Sequence, residues 1–324
     1  MEQKYWTERD HMLVLLVKTN DIEELKKRAL DYGLNDQEMY LLYFVAVKEG
    51  KTDIVKFLLN EKIDINRSFH WTFSSETYPD NIVYNIYRTD CEHLRGRAWY
   101  DSYGSYRGGN ALILATLTKK TDIAKLLIEQ GIDLNHISEP ISGGGFYRAI
   151  HIAAMTGQHE IVAAILDKLP KLLNQYGKLQ ITPLMLAAEK GNLKTVEVLV
   201  QRKASFDGVL ESVLKGNNAD VLYYLIRETN ILQNNIHKAF LTARHAITHG
   251  QYEVFALVFD KFPALVSYRD GEDKSLLDYV KITPMLNDPI LKGIRNRIEG
   301  LLRGTYIGNS DEKLIEMQDI GKKK

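Results

Sequence analysis

From Arg148 to Lys203 the order of apolar and polar positions is written twice. The first copy reads Ala149-Ile150-His151-Ile152-Ala153-Ala154-Met155-Thr156-Gly157 and runs on through Glu160-Ile161-Val162 to Leu166. The second reads Pro183-Leu184-Met185-Leu186-Ala187-Ala188-Glu189-Lys190-Gly191 and runs on through Thr195-Val196-Glu197-Val198-Leu199-Val200. Gly157 and Gly191 are 34 residues apart, a spacing at which self-similarity means a stacked array of short units rather than a closed globule. Thr182-Pro183 predicts a helix start, because Thr caps free amides and Pro at the first helical position gives up a donor that has no partner there. Leu184, Ala187 and Ala188 share a helical face whose two small residues let a neighbouring helix come close. Gly191 predicts the stop, since glycine takes a left-handed cap without a steric penalty. A second helix from Leu193 to Gln201 returns antiparallel, and neither helix has enough apolar surface to fold alone, so each pair must bury itself against the pairs beside it.

With these glycines as a ruler, weaker copies appear on both sides. Met12 to Val17 with Asn20 as cap, followed by Asp21 to Leu25, is one; its charged second helix fits a terminal repeat with a wet face. Leu41 to Lys48 with Gly50, then Asp53 to Leu59, is the next. Ala111 to Lys119 with Asp122 to Ile128 is a third, where Lys119 in place of glycine predicts a strained or redrawn helix end. Val209 to Gly216 with Ala219 to Ile226, Leu241 to Gly250 with Tyr252 to Phe259, and Ser275 to Val280 with a helix from Pro289 follow. Gly191 and Gly216 are only 25 residues apart, which predicts that the hairpin before Val209 is missing. One register places Ala46, Ala115, Ala153, Ala187, Ser212 and Ala246 at equivalent buried positions.

This pattern resembles the ankyrin repeat family, specifically at residues 148 to 203 and more loosely over most of residues 10 to 302. The resemblance implies an all-α solenoid of stacked antiparallel helix pairs with finger loops and a concave face that binds partners. It also implies that His151 braces neighbouring repeats through hydrogen bonds. The expected organisation is about two repeats over 1–66, an insertion over 67–109, about five repeats including a closing cap over 110–302, and a flexible tail over 303–324. Irregular ankyrin proteins without a second recognisable domain look like those that intracellular bacteria deliver into host cells. Asp311, Glu312 and Glu316 are weakly similar to their export signals, and an ordinary solvated tail is the preferred reading.

The insertion changes the picture. Residues 67–109 hold Phe69, Trp71, Phe73, Tyr78, Tyr84, Tyr87, Trp99, Tyr100, Tyr103, Tyr106 and the arginines 67, 88, 95, 97 and 107, without one lysine. Trp, Tyr and Arg in the absence of Lys is the bias of a binding surface. Phe69, Trp71, Tyr84 and Tyr87 fit equally a small core of the insertion itself, with a weak helix over Asp80 to Leu94. The stretch from Trp99 to Gly109 has too little aliphatic content for a core and is expected to be exposed. The candidate protein-binding residues are therefore Trp99, Tyr100, Tyr103, Tyr106, Arg107 and Tyr147, the last in the next finger. The positions just before the caps join them: Glu49, Thr118, Met155, Thr156, Glu189, Lys190 and Lys215.

Composition narrows the function classes. The 42 basic and 42 acidic residues cancel, which gives no reason to expect nucleic acid as a partner. The single cysteine, Cys91, excludes an intramolecular disulfide framework and fits a reducing, cytoplasmic compartment. Met12 to Val17 is far shorter than the roughly 20 residues that span a bilayer, so no membrane insertion is expected. The expectation is a monomeric, non-enzymatic interaction module with a protein partner and no cofactor. The alternative is an enzyme using Cys91 or His93 in the insertion; two residues apart, these do not face each other on a helix. His245 and His249 share a helical face, but no Cys, Asp or Glu at ligand spacing completes a metal site. Gly143-Gly144-Gly145 lacks the Lys-Ser/Thr that follows in a phosphate-binding loop.

Overall fold

A computed structural model describes residues 8–67, 69–70, 106–140, 147–177, 180–282 and 289–302. The chain divides into two compact units, Met1–Asp207 and Gly208–Lys324. The first contains five antiparallel helix pairs: α1 (Glu8–Thr19) with α2 (Ile22–Tyr32), α3 (Asp36–Glu49) with α4 (Thr52–Asn60), α5 (Ala111–Leu117) with α6 (Thr121–Glu129), α7 (Ala149–Thr156) with α8 (His159–Lys168), and α9 (Pro183–Glu189) with α10 (Leu193–Gln201). The odd-numbered helices pack in sequence as an inner layer, and α4, α6, α8 and α10 pack in sequence as an outer one. The second unit contains α11 (Val209–Gly216) with α12 (Ala219–Glu228), α13 (Ile236–Thr248) with α14 (Tyr252–Lys261), and α15 (Leu276–Ile282) with α16 (Pro289–Leu302). The all-α array of stacked pairs is as the periodicity predicts.

Each inner helix of the first unit, and α13 in the second, ends by one device. Asn20, Gly50, Lys119, Gly157, Gly191 and Gly250 all have positive φ, between 56° and 80°. The reversal turns the next backbone N–H onto the carbonyl five residues earlier: Asp21 onto Leu16, Lys51 onto Ala46, Lys120 onto Ala115, Gln158 onto Ala153, Asn192 onto Ala187 and Gln251 onto Ala246, all at 2.8–2.9 Å. These bonds satisfy carbonyls the helix end would leave open. Lys119 adopts the left-handed conformation at φ 56°, so the helix end is strained as predicted, at about 1–2 kcal/mol for a side chain with a Cβ.

The residue four before the cap is a small one, and Ala46, Ala115, Ala153, Ala187 and Ala246 are all fully buried. Ser212 does not belong to that set. Gly216 stays inside α11, and Asn217 takes the left-handed position at φ 54°. The register therefore moves by one, Val213 is the fully buried counterpart, and the Ser212 hydroxyl turns back to the Gly208 carbonyl at 2.9 Å. The connection from Gln201 to Val209 has no strand or 3-10 turn, consistent with the missing hairpin.

The insertion does not separate the pairs on either side of it. α3 packs on α5, and α4 on α6. Asn66 Oδ1 accepts from the Asp133 amide at 2.7 Å, while Asn110 Nδ2 donates to the Asp133 carbonyl at 2.9 Å. Its ends are joined as strands: β1 (Phe69–His70) pairs antiparallel with β2 (Tyr106–Gly109), and β2 with β3 (Glu139–Pro140). This short ribbon is an addition to the helical array. The weak helix expected over Asp80 to Leu94 lies outside the described residues, as does the tail over 303–324.

The cap geometry makes a quantitative prediction. A Cβ on Gly157 would sit 2.9 Å from the Asn192 side-chain oxygen, whereas one on Gly131, also left-handed, would meet nothing within 4 Å. Gly131→Ala is expected to cost about 1 kcal/mol of backbone strain and Gly157→Ala about 2–3 kcal/mol, because it also displaces the Asn192 amide. Urea unfolding midpoints of the two variants measure the difference; equal losses would refute the role given to Asn192.

Candidate functional site

The residues just before each left-handed cap share one register, and in the first unit the structure brings that row onto the inner layer. Glu49 is half-buried, its Oε1 3.6 Å from the Nζ of the buried Lys48. Thr118 and Thr156 are half-buried with their hydroxyls donating to the carbonyls of Leu114 and Ile152 at 2.8 and 2.7 Å. Glu189 lies 3.8 Å from Lys190, whose side chain is the more open of the two. Met155 is only 6% exposed and belongs to the packed interior. Lys215, on α11 in the second unit, is exposed.

Tyr147 also proves more internal than expected. It is 9% exposed, its ring lies 5.8 Å from that of His151, and its backbone carbonyl accepts from both the amide and the hydroxyl of Ser138. Burial first, and the Glu189 charge second, hold its hydroxyl above the ordinary tyrosine range. Gly177 lies against the other side: a Cβ there would stand 3.2 Å from both the Tyr147 and His151 rings, which would have to give by a few tenths of an ångström. Trp99, Tyr100 and Tyr103 lie outside the described residues, as do Cys91 and His93. Tyr106 and Arg107 are placed by their backbone in β2, opposite Pro140 and Glu139.

His151 is fully buried and tied at both nitrogens. Nδ1 accepts from the Arg148 amide at 3.4 Å, and Nε2 meets the Gln175 carbonyl at 2.9 Å. A carbonyl only accepts, so Nε2 carries the proton and the ring is neutral. Burial pushes its pKa down to about 4, the Gln175 bond opposing and Arg148 assisting the shift. His151 thus joins the start of α7 to the loop that leads into α9, the bracing role the resemblance implies.

The sequence pattern did not reveal the residues directly after the caps. Gln158 Nε2 donates to the Thr116 carbonyl at 2.8 Å and also to the Thr156 hydroxyl. Asn192 Nδ2 donates to the carbonyls of Ala154 and Met155 at 2.9 and 2.8 Å. Lys120 lays its stem over Gly50. Each reaches back to the end of the preceding inner helix and holds the candidate row in place. The available signal was an amide side chain following the cap at Gln158, Asn192 and Gln251.

In the second unit the rings of His245 and His249 stack at 4.0 Å. His245 Nε2 meets Asn217 Oδ1 at 3.1 Å, and His249 Nδ1 meets the His245 carbonyl at 2.9 Å. The pair therefore closes a helix end, and among the described residues no three His, Cys, Asp or Glu gather as a metal group. Nor is any described helix long and apolar enough to cross a membrane.

A family model described as ankyrin repeats (3 copies) matches residues 139–208. No curated protein matches the chain. Among solved structures the chain is similar to the human ASB11 ankyrin repeat domain, at 16% identity, covering 79% of this chain and 96% of that one with a TM-score of 0.50. It is also similar to a chain in the structure described as the Bd0816 predatory endopeptidase from Bdellovibrio bacteriovorus in complex with immunity protein Bd3460, at 19% identity, covering 64% of this chain and 92% of that one with a TM-score of 0.45. The likeness to the ASB11 domain shows the fold.

The buried imidazole predicts a pH dependence. Its folded pKa of about 4 lies below the ordinary histidine value of 6.5, so the unfolded chain takes up a proton first as pH falls. The neutral ring's contribution is complete above pH 6.5 and is lost between there and about pH 4, to the extent of about 3 kcal/mol. Chemical denaturation across that window should show the loss, and His151→Gln should flatten it; an unchanged slope in the variant would remove His151 as the cause.

Proposed function

We propose that this chain, which carries ankyrin repeats in a degenerate array interrupted by an insertion, is a non-enzymatic module that binds a protein partner through the residues before the caps and through the insertion. Ankyrin repeats indicate protein interaction. The observation that carries the finer reading is the division of labour along each inner helix. Four residues before the cap the side chain is a fully buried alanine, while Glu49, Thr118, Thr156, Glu189 and Lys190 are left at least partly open. A row of varied polar side chains on rigid, evenly spaced helix ends is the arrangement a scaffold offers to a partner. The insertion adds Trp99, Tyr100, Tyr103, Tyr106 and Arg107, the residue types that dominate interface energetics. Its stem in β1 and β2 pairs through β2 with β3, in the connection that leads to α7. Action as a bacterial effector in a host cell's cytosol rests on the sequence resemblance alone.

The test separates binding from folding. Trp99→Ala, Tyr103→Ala, Arg107→Ala and Lys190→Glu are each expected to weaken capture of a partner from lysate, with losses of about 2 kcal/mol or more at an anchor residue. Surface changes of this kind move stability by less than about 0.5 kcal/mol, so the melting temperature should stay within a degree or two. A drop of several degrees on changing Trp99 or Tyr103 would instead make the insertion's aromatics internal packing.

A further inference from the structure

The end of α11 lies one residue beyond the place its own residues favour. Gly216 stands 34 residues before Gly250, in register with the caps of the array, and as glycine it would take the left-handed conformation without a steric penalty. It is instead the last residue of α11, and Asn217 makes the left-handed turn at φ 54° and ψ 38°. Glycine is a poor helix residue, and asparagine adopts positive φ less readily than glycine, so both positions are filled against local preference. What holds them comes from the next helix pair. Asn217 Oδ1 accepts from His245 Nε2 at 3.1 Å and from Gln251 Nε2 at 2.7 Å. His245 is kept in place by its stack on His249, with ring centroids 4.0 Å apart, and His249 Nδ1 donates to the His245 carbonyl at 2.9 Å. The clasp carries a cost of its own, since among the described residues Gln251 Oε1 is buried without a hydrogen-bond partner.

We propose that the end of α11 is a two-position switch, set at Asn217 while the neutral His245–His249 stack holds the Asn217 amide and returning to Gly216 when protonation parts the stack. The His249 ring faces His245 from its own helix, the Asn217 amide from the end of α11 and the Gln251 amide from the start of α14. Arg244, the preceding residue on α13, is turned to Tyr279 of α15 and to Asp270, at 3.5 and 4.0 Å. The Asn217 oxygen only accepts, so Nε2 carries the His245 proton and acid adds a second at Nδ1. Burial first, and the His249 charge second, lower the pKa of His245 to about 4 from the ordinary 6.5. A ring that has swung into water takes up that proton more readily. Between pH 6.5 and about 4, each unit of acidification therefore favours the released end by up to about tenfold. In the released state Lys215 directly precedes the cap, the register of Glu49, Thr118, Thr156 and Lys190. That last consequence rests on the protein-binding reading, whereas the switch itself does not.

The test is carbon and nitrogen NMR of the full chain, titrated from neutral pH down through the titration of His245. The Cα shifts of Gly216 and Asn217 report which residue is left-handed, and the imidazole shifts report protonation. At neutral pH Asn217 is expected to be left-handed and Gly216 helical, and the two should exchange conformations as His245 titrates. His245→Phe keeps a stacking ring without the donor and should place the turn at Gly216 already at neutral pH. Gly216→Ala removes the alternative cap, and Asn217→Gly relaxes the turn where it now stands, so each should hold the turn at residue 217 throughout the titration. An Asn217 that stays left-handed while His245 titrates overturns the proposal, as does one that stays left-handed in His245→Phe. The readout is backbone conformation, so either failure leaves the protein-binding reading standing, and failure to capture a partner leaves the switch standing.

Discussion

Everything in the first unit depends on a single backbone reversal at the end of each inner helix. One residue with positive φ sends the following amide back to a carbonyl five residues earlier, and the chain leaves the helix in a direction that lets the outer helix return antiparallel. The same turn presents the residue after the cap to the preceding pair. Gln158 and Asn192 use that position to bond the carbonyls of Thr116, Ala154 and Met155. Closing a helix and joining it to its neighbour are therefore one event, which is why glycine is needed at Gly157 for clearance from Asn192 as well as for its φ.

The same economy explains how the array tolerates a long interruption. Loop insertion costs entropy that grows only slowly with length, provided the pairs on either side keep their contacts. Here Asn66 and Asn110 both bond the backbone of Asp133, and the β1–β2 pairing brings the insertion's two ends together. The stack of helix pairs is thus continuous across the insertion.

Burial divides residues that look alike in composition. The sequence groups Tyr147 with Trp99, Tyr100, Tyr103 and Tyr106 as candidate binding residues, yet Tyr147 packs against His151 and Gly177. Met155 and Thr156 are adjacent, yet one joins the core and the other keeps an open edge. These distinctions decide which side chains a partner can reach.

The helix pairs, their spacing, the caps at Gly50, Gly157, Gly191 and Gly250 and the buried alanines four residues earlier were legible in the sequence, because each follows from local backbone chemistry repeated at a fixed interval. Lys119 was legible as a strained end for the same reason. What only the tertiary structure decided depends on neighbours distant in the chain. Asn217 rather than Gly216 ends α11, where two side chains, His245 and Gln251, bond its amide. Tyr147 is interior because Gly177, distant in the chain, packs against its ring. Leu15, at a position buried in the later inner helices, is exposed, and among the described residues no earlier inner helix packs against it. A pattern of apolar and polar residues specifies which face of a helix seeks cover, and the cover itself is supplied by whatever the fold places opposite.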